Sequence, residues 1–218
     1  MPTDSQLSTP VYPPGTVRAL LATSHVTPQT RAALLARLEP PLDAAPRFFD
    51  GETFAVFAAV CARLVAPVEN AVALSLAVQV DGRLAAGGGD GWRYAAMPPD
   101  GEAYRRGTQG VEALARTRFS ASFHALEAAQ QDAILRDAQR GNVTGEPWDT
   151  LPAARFFEDV LAEVAQYFYS DPLVQEEIGY VGMADAHGWH AITLDTREAR
   201  EPLPVTNDNH GHENGGGA

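Results

Sequence analysis

The stretch AARFFEDVLAEVAQYFYSDP, residues 153–172, decides the reading of this chain. Phe157, Val160, Leu161, Val164 and Phe168 recur three and four positions apart, and Arg155, Glu158, Asp159, Glu163 and Gln166 fall outside that stripe. This is the pattern of a helix with one face in a core and the other in water. Asp149-Thr150-Leu151-Pro152 marks its start, and Ser170-Asp171-Pro172 its stop, because the residue before a proline is pushed out of the helical region. Arg155 stands four residues before Asp159, a spacing that suits a surface ion pair of about 0.2–0.5 kcal/mol.

Working back towards the N-terminus, the pattern stays helical. A helix is expected from about Ser122 to Arg140, with Leu126, Ala129, Ala133, Ile134 and Ala138 inward and Gly141 as its stop. Another is expected from about Glu102 to Phe119. The stretch Val72, Leu74, Leu76, Val78, Val80 alternates like a strand, yet Ala71, Ala73 and Ala77 between these residues are strong helix formers and poor strand formers, so a buried helix is expected. Asp50-Gly51-Glu52 opens a helix whose Phe54, Phe57, Val60, Cys61 and Leu64 form one stripe; on that stripe Cys61 reads as a packing thiol. Thr27-Pro28 starts a further helix that Pro40-Pro41 ends. The expected architecture is all-α, a single helical domain of five to six helices over 27–196. An extended Pro-, Ser- and Thr-rich arm precedes it at 1–26, and a disordered polar tail follows at 197–218.

The chain has 218 residues, long enough for a real core, with 45% hydrophobic and 20% charged side chains. Its net charge of −12 argues against nucleic acid, whose binding needs clustered positive charge. All 16 basic residues are arginine. Residues 151–218 hold 12 acidic and 3 basic side chains, read as a solvated acidic end or as a surface that steers a basic partner. One cysteine excludes an internal disulfide and a CxxC site. No apolar run approaches the roughly 18 residues of a membrane span, and no secretory pattern opens the chain, so a cytoplasmic protein is expected.

Catalytic motifs fail one by one. Gly87 and Gly89 fit the start of a dinucleotide fingerprint, but Trp92 stands at its third glycine. A P-loop lysine cannot exist in a chain without lysine, and no GxSxG occurs. The pairs Glu158-Asp159 and Glu176-Glu177 are sequence neighbours, which point apart on a helix and form no acid–base pair. His187 and His190, with Asp185 as a third ligand, give an alternative reading as a metalloprotein, weakened by Gly188 between them. A weak, adventitious metal site at His210-Gly211-His212 is a further reading.

Five stretches in order carry a family resemblance. They are Leu64-Val65-Ala66-Pro67; Gly91-Trp92-Arg93-Tyr94 with the following Pro98-Pro99-Asp100-Gly101; Phe123 through Gln130 to Leu135; Phe156-Phe157 leading to Tyr169-Ser170-Asp171-Pro172; and Ile178-Gly179-Tyr180-Val181-Gly182. Over about residues 50–182 the chain resembles the gluconate 2-dehydrogenase subunit 3 family. It departs from the family in lacking the usual export signal and in carrying Leu173-Val174-Gln175-Glu176 where a GGN triplet often follows the proline. The resemblance implies a small, non-catalytic helical subunit with no cofactor of its own. Its partner would be a large FAD-dependent dehydrogenase of the glucose–methanol–choline type, which oxidises a sugar or sugar-acid hydroxyl and often passes electrons to a cytochrome c. Through such a complex the chain would reach a periplasmic or membrane-associated place. A generic helical interaction protein is the alternative.

The expected partner interface is the segment from Tyr167 to Trp189. Its core stripe ends at Phe168, yet Tyr167, Tyr169, Tyr180 and Trp189 remain, and buried tyrosines and tryptophans carry much of the energy of interfaces. Asp171 and Pro172 fix the exit from the helix, and Gly179 and Gly182 allow a close turn. The other reading is that these aromatics cover the end of the chain's own bundle.

Overall fold

The computed structural model describes residues 12–43, 45–65, 70–89, 91, 94–180, 184, 185, 187–194, 196–198, 200 and 201. These residues form eight α-helices and no strand: α1 (Thr16–Leu21), α2 (Pro28–Leu38), α3 (Gly51–Leu64), α4 (Asn70–Ala85), α5 (Asp100–Phe119), α6 (Ala128–Gln139), α7 (Ala153–Ser170) and α8 (Pro172–Glu177), with a 3₁₀ turn at Phe123–Ala125. The all-α class is as expected. The helix count is higher because α1 and α8 have six residues each, too few to show a period. α1 also falls inside the stretch expected to be an extended arm; the arm's residues 1–11 lie outside the described residues, as do 202–218 of the tail. The chain divides into two compact units, residues 40–169 and residues 1–39 with 170–218.

In the unit of residues 40–169, Asp50 starts α3 by accepting the Thr53 N–H at 2.8 Å, which holds the Asp50 carboxyl below its ordinary range. α3 packs against α4, and Phe57, Val60 and Cys61 of the first and Leu76, Ala77 and Val80 of the second are nearly or fully buried. On α4 the buried positions Ala73, Leu76, Ala77, Val80, Asp81 and Leu84 follow the helical period. Asp81 is buried but satisfied: it accepts the backbone N–H groups of Arg47, Phe48 and Phe49 at 2.6–3.1 Å, which folds the loop before α3 back onto α4. Cys61 is a core thiol, as its place on the stripe predicts.

Two expectations for this unit need correction. The helix expected from Ser122 begins only at Ala128, because the Glu112 carboxylate takes the Ser122 hydroxyl and the Phe123 N–H, and the Gln131 amide takes the Phe123 carbonyl. Phe123 is thereby fully buried, Leu126 and Glu127 are extended, and Gln130 accepts the Glu127 N–H to open α6. Of the residues expected inward, Ala129 is exposed; Gly141 does end the helix, at φ 68°. On α7 the buried stripe is Ala153, Phe156, Val160, Val164 and Phe168, so Phe156 and not Phe157 faces the core. The reason lies on α5: a Cβ on Gly107 would stand 2.2 Å from the Phe156 ring, so the missing side chain leaves the hollow that Phe156 fills. Gly110 does the same for Trp148. Phe48, Phe49, Phe57, Tyr104, Phe156 and Trp148 follow one another with ring centroids 4.9–6.2 Å apart.

In the other unit Val17, Leu20, Leu21, Val26 and Leu34 form a small core, against which Tyr12 and Leu38 pack. Two carboxylates from beyond residue 170 tie the N-terminal helices down. Glu176 is buried and accepts the Gly15 and Val17 N–H groups at 2.8 and 2.6 Å, at the start of α1. Asp185 accepts the Thr27 N–H at 2.9 Å and the Thr27 and Thr30 hydroxyls at the start of α2. The expected tail boundary near 197 also moves: Glu198 accepts the His190 and Ala191 N–H groups, and the buried Arg200 stacks on Trp189 at 4.3 Å and donates to the Gly188 carbonyl.

Gly107→Ala is expected to destabilise the chain by about 1–3 kcal/mol through overpacking against Phe156. Exposed Gly141 is the control, since nothing lies within 4 Å of its Cβ position, although its positive φ makes Gly141→Ala cost about 1 kcal/mol by itself. A denaturation midpoint for Gly107→Ala equal to wild type would show that the hollow is not filled as described.

Candidate functional site

A cleft of about 620 Å³ opens in the unit of residues 40–169. One wall is the stretch through Gly89, Tyr94, Met97, Pro98 and Asp100 into the first turn of α5, and the other is the outward face of α7, from Glu158 to Tyr167. The polar stripe that the sequence assigns to water on α7 is therefore the lining of this cleft.

Arg83, in the last turn of α4, organises the site. Its Nη1 donates to the Gly88 carbonyl at 2.6 Å and to Asp100 at 2.8 Å, while Nε and Nη2 form a two-pronged bond to Glu163, the second arm at 2.8 Å. Such forked pairing is what a guanidinium does and an ammonium cannot. Glu163 also accepts the Tyr104 hydroxyl, and the Arg83 Cζ lies 5.5 Å from the Tyr104 ring centre. Arg83 and Glu163 side chains are 19% and 13% exposed, so the pair is largely out of water. Burial opposes the charge on Arg83, but Glu163 and Asp100 outweigh it and hold the guanidinium protonated beyond its ordinary range. Burial and the Glu163 charge push the Tyr104 hydroxyl well above the ordinary tyrosine value, and act in the same direction on Tyr167 and on the Cys61 thiol. At the cleft edge the Arg155 guanidinium lies 3.7 Å over the Tyr94 ring and bonds Glu158, three residues on, at 2.5 Å.

The residues expected at a partner interface have different fates. Tyr167 is half-buried and lines the cleft. Tyr169, Tyr180 and Trp189 are 56%, 51% and 40% exposed. Asp171 is buried and caps α8 through the Leu173 and Val174 N–H groups, with Pro172 buried at the first helical position. Gly179, at φ 80°, closes α8: its N–H bonds the Glu176 carbonyl and the Tyr180 N–H bonds the Gln175 carbonyl. Gly182 lies outside the described residues. Sequence reasoning missed Ile178, Ile192 and Leu194, which are 57%, 80% and 94% exposed, because no period marks them. It also missed the joining of Arg83 to Glu163, 80 residues apart.

His187 and His190 sit exposed in an irregular segment with Gly188 at φ 67° between them, so they do not share a helix face. Asp185, the third ligand of the metal reading, is engaged at the start of α2. Among the described residues no group of three or more His, Cys, Asp or Glu side chains is placed to hold a metal ion, and no helix is long and apolar enough to cross a membrane. His210 and His212 lie outside the described residues.

Two of the five motif stretches, those around Tyr94–Asp100 and on α7, line the cleft, and the C-terminal segment exposes large apolar side chains. The sequence model of the gluconate 2-dehydrogenase subunit 3 family matches residues 51–185, more than half of the chain, and the chain belongs to that family. No curated protein and no solved structure matches it.

The alkaline limb of stability follows from these groups. Lysine is absent, and Cys61 and Tyr104 are groups whose protons are held tightly by burial. The folded chain keeps protons on Cys61 and Tyr104 that the unfolded chain releases near the ordinary values of 9.0 and 10.0. The unfolded state then binds fewer protons, so the stability is complete below these values and declines as pH rises through them. Tyr104→Phe is expected to lower stability by about 1 kcal/mol near neutrality through the lost Glu163 bond and to flatten the decline above about pH 10, read by melting curves. An unchanged slope would assign the decline to other groups.

Proposed function

We propose that this chain is the non-catalytic small subunit of a dehydrogenase complex, binding and stabilising a large FAD-dependent subunit of the glucose–methanol–choline type. Membership of the gluconate 2-dehydrogenase subunit 3 family over residues 51–185 is the observation that carries this reading. In such a complex the flavin, held by the large subunit, supplies the oxidation of a sugar or sugar-acid hydroxyl, with a cytochrome c as an onward acceptor. This chain's part is to bind. Large apolar side chains left in water are costly unless a partner covers them, and Ile178, Tyr180 and Trp189 are exposed in the segment that the sequence marks as an interface. A subunit that binds only the folded form of its partner raises that partner's apparent stability by mass action.

Co-expression with a large dehydrogenase subunit of this type tests the reading. The expected result is co-purification in fixed stoichiometry, with flavin absorbance and turnover in the complex and neither in this chain alone. Ile178→Ala and Tyr180→Ala are each expected to weaken capture by about tenfold while leaving the melting temperature of the isolated chain unchanged. Lowered melting with full capture would mean that the segment covers the chain's own core, and flavin or turnover in the isolated chain would overturn the assignment.

A further inference from the structure

We infer that α1 and α2 hold the partner-binding segment in its binding form, so that capture of the large subunit depends on N-terminal helices that lie outside the family match of residues 51–185. The inference rests on the proposed function for the partner, and on the geometry of residues 170–185 for the rest. Three ties join this stretch to the N-terminal helices. Arg37, in the last turn of α2, donates to the Ser170 carbonyl at 3.2 Å. Glu176, buried on α8, accepts the Gly15 and Val17 N–H groups at 2.8 and 2.6 Å. Asp185 accepts the Thr27 N–H at 2.9 Å, the Thr30 hydroxyl at 2.9 Å and the Thr27 hydroxyl. Leu173, Ile178 and Tyr180 stand exposed between these ties.

The dependence runs in both directions. Neither N-terminal helix is capped by its own first residue: Gly15 has no side chain, and the Thr27 hydroxyl donates to Asp185 instead of accepting an N–H from the first turn of α2. Unpaired N–H groups at a helix start need an acceptor, and the two carboxylates supply it. In return, α8 has six residues, too few to be stable as an isolated helix. Its Pro172, Val174 and Glu176 are buried, and α1 and α2 both pack against it. Glu176 stands two residues before Ile178 and four before Tyr180, so its tie is the one nearest in sequence to those two exposed side chains. An apolar anchor on a fraying turn binds more weakly by the fraction of time the turn is formed, and a held turn avoids that loss.

Amide hydrogen exchange of the full chain tests the tie, and the affinity for a co-expressed large subunit tests its purpose. The Ile178, Gly179 and Tyr180 N–H groups bond the Val174, Glu176 and Gln175 carbonyls, so their exchange is slowed while the turn holds. Glu176→Gln sets an amide nitrogen against one of its two N–H donors. It is expected to speed exchange at these three amides about tenfold, to leave the amides of α5 unchanged, and to weaken capture about tenfold. Thr27→Val with Thr30→Val removes two donors to Asp185 without touching α8, and is expected to act in the same direction; Thr27→Ser with Thr30→Ser, which keeps both hydroxyls, is expected to match wild type. If Glu176→Gln also speeds exchange throughout α5, the fold itself has failed and the valine pair decides. Unchanged exchange in the variants would overturn the inference, and so would faster exchange with full capture. A wild-type chain that captures no large subunit would overturn the proposed function and this inference with it, an outcome set apart because it appears before any substitution is made.

Discussion

Phe156 occupies the space that a side chain on Gly107 would need, and much of the larger unit follows from that fit. The ring sets which face of α7 is buried, and hence which face carries Glu158, Asp159, Glu163 and Gln166 outward. Tyr104 packs edge-on against the same ring, at 6.2 Å, so the residue that donates to Glu163 is positioned by the residue that seats α7. The cleft therefore inherits its shape from a core contact. A helix turned by one residue would put Phe157 inward and remove Glu163 from reach of Arg83, because successive residues point about 100° apart.

Carboxylates play a larger structural part here than the net charge of −12 suggests. Asp81, Glu112, Asp171, Glu176, Asp185 and Glu198 all accept backbone N–H groups. Four of the six lie beyond residue 170, so the acidic C-terminal region is not merely a solvated end. Each carboxylate meets donors that a helix start or an irregular loop would otherwise leave unpaired, at the point where the backbone has no helical partner of its own. Arg83 is the counterpart on the basic side. One planar fork reaches three acceptors at different angles, a task for which arginine and not lysine is shaped.

Periodicity made the five longest helices legible, including α4, where alanine content outweighed an alternation that mimics a strand. The stop at Gly141 and the start at Asp50 were legible for the same reason, since caps are local. What escaped is non-local. The choice between Phe156 and Phe157 depends on a glycine in another helix, and the late start of α6 depends on Glu112 taking donors 10 and 11 residues on. The cleft pairs residues 80 apart, for which a single sequence carries no signal. Of the interface reading, the exposed tyrosines and Trp189 were legible as aromatics beyond the core stripe. The internal duties of Asp171, Pro172 and Gly179 were legible only as turn chemistry.

The unit built from residues 1–39 and 170–218 has a consequence for biosynthesis. A ribosome makes α1 and α2 first, yet the carboxylates that satisfy their leading N–H groups, Glu176 and Asp185, are made more than 150 residues later. The unit of residues 40–169 is continuous in sequence, so the whole of it is synthesised before α8. Its folding turns a long flexible loop into a compact insert and so reduces the entropy lost when the two outer segments meet. Until then the nascent α1 and α2 hold Val17, Leu20 and Leu34 without their final cover, and they are the natural clients of whatever shields an emerging chain.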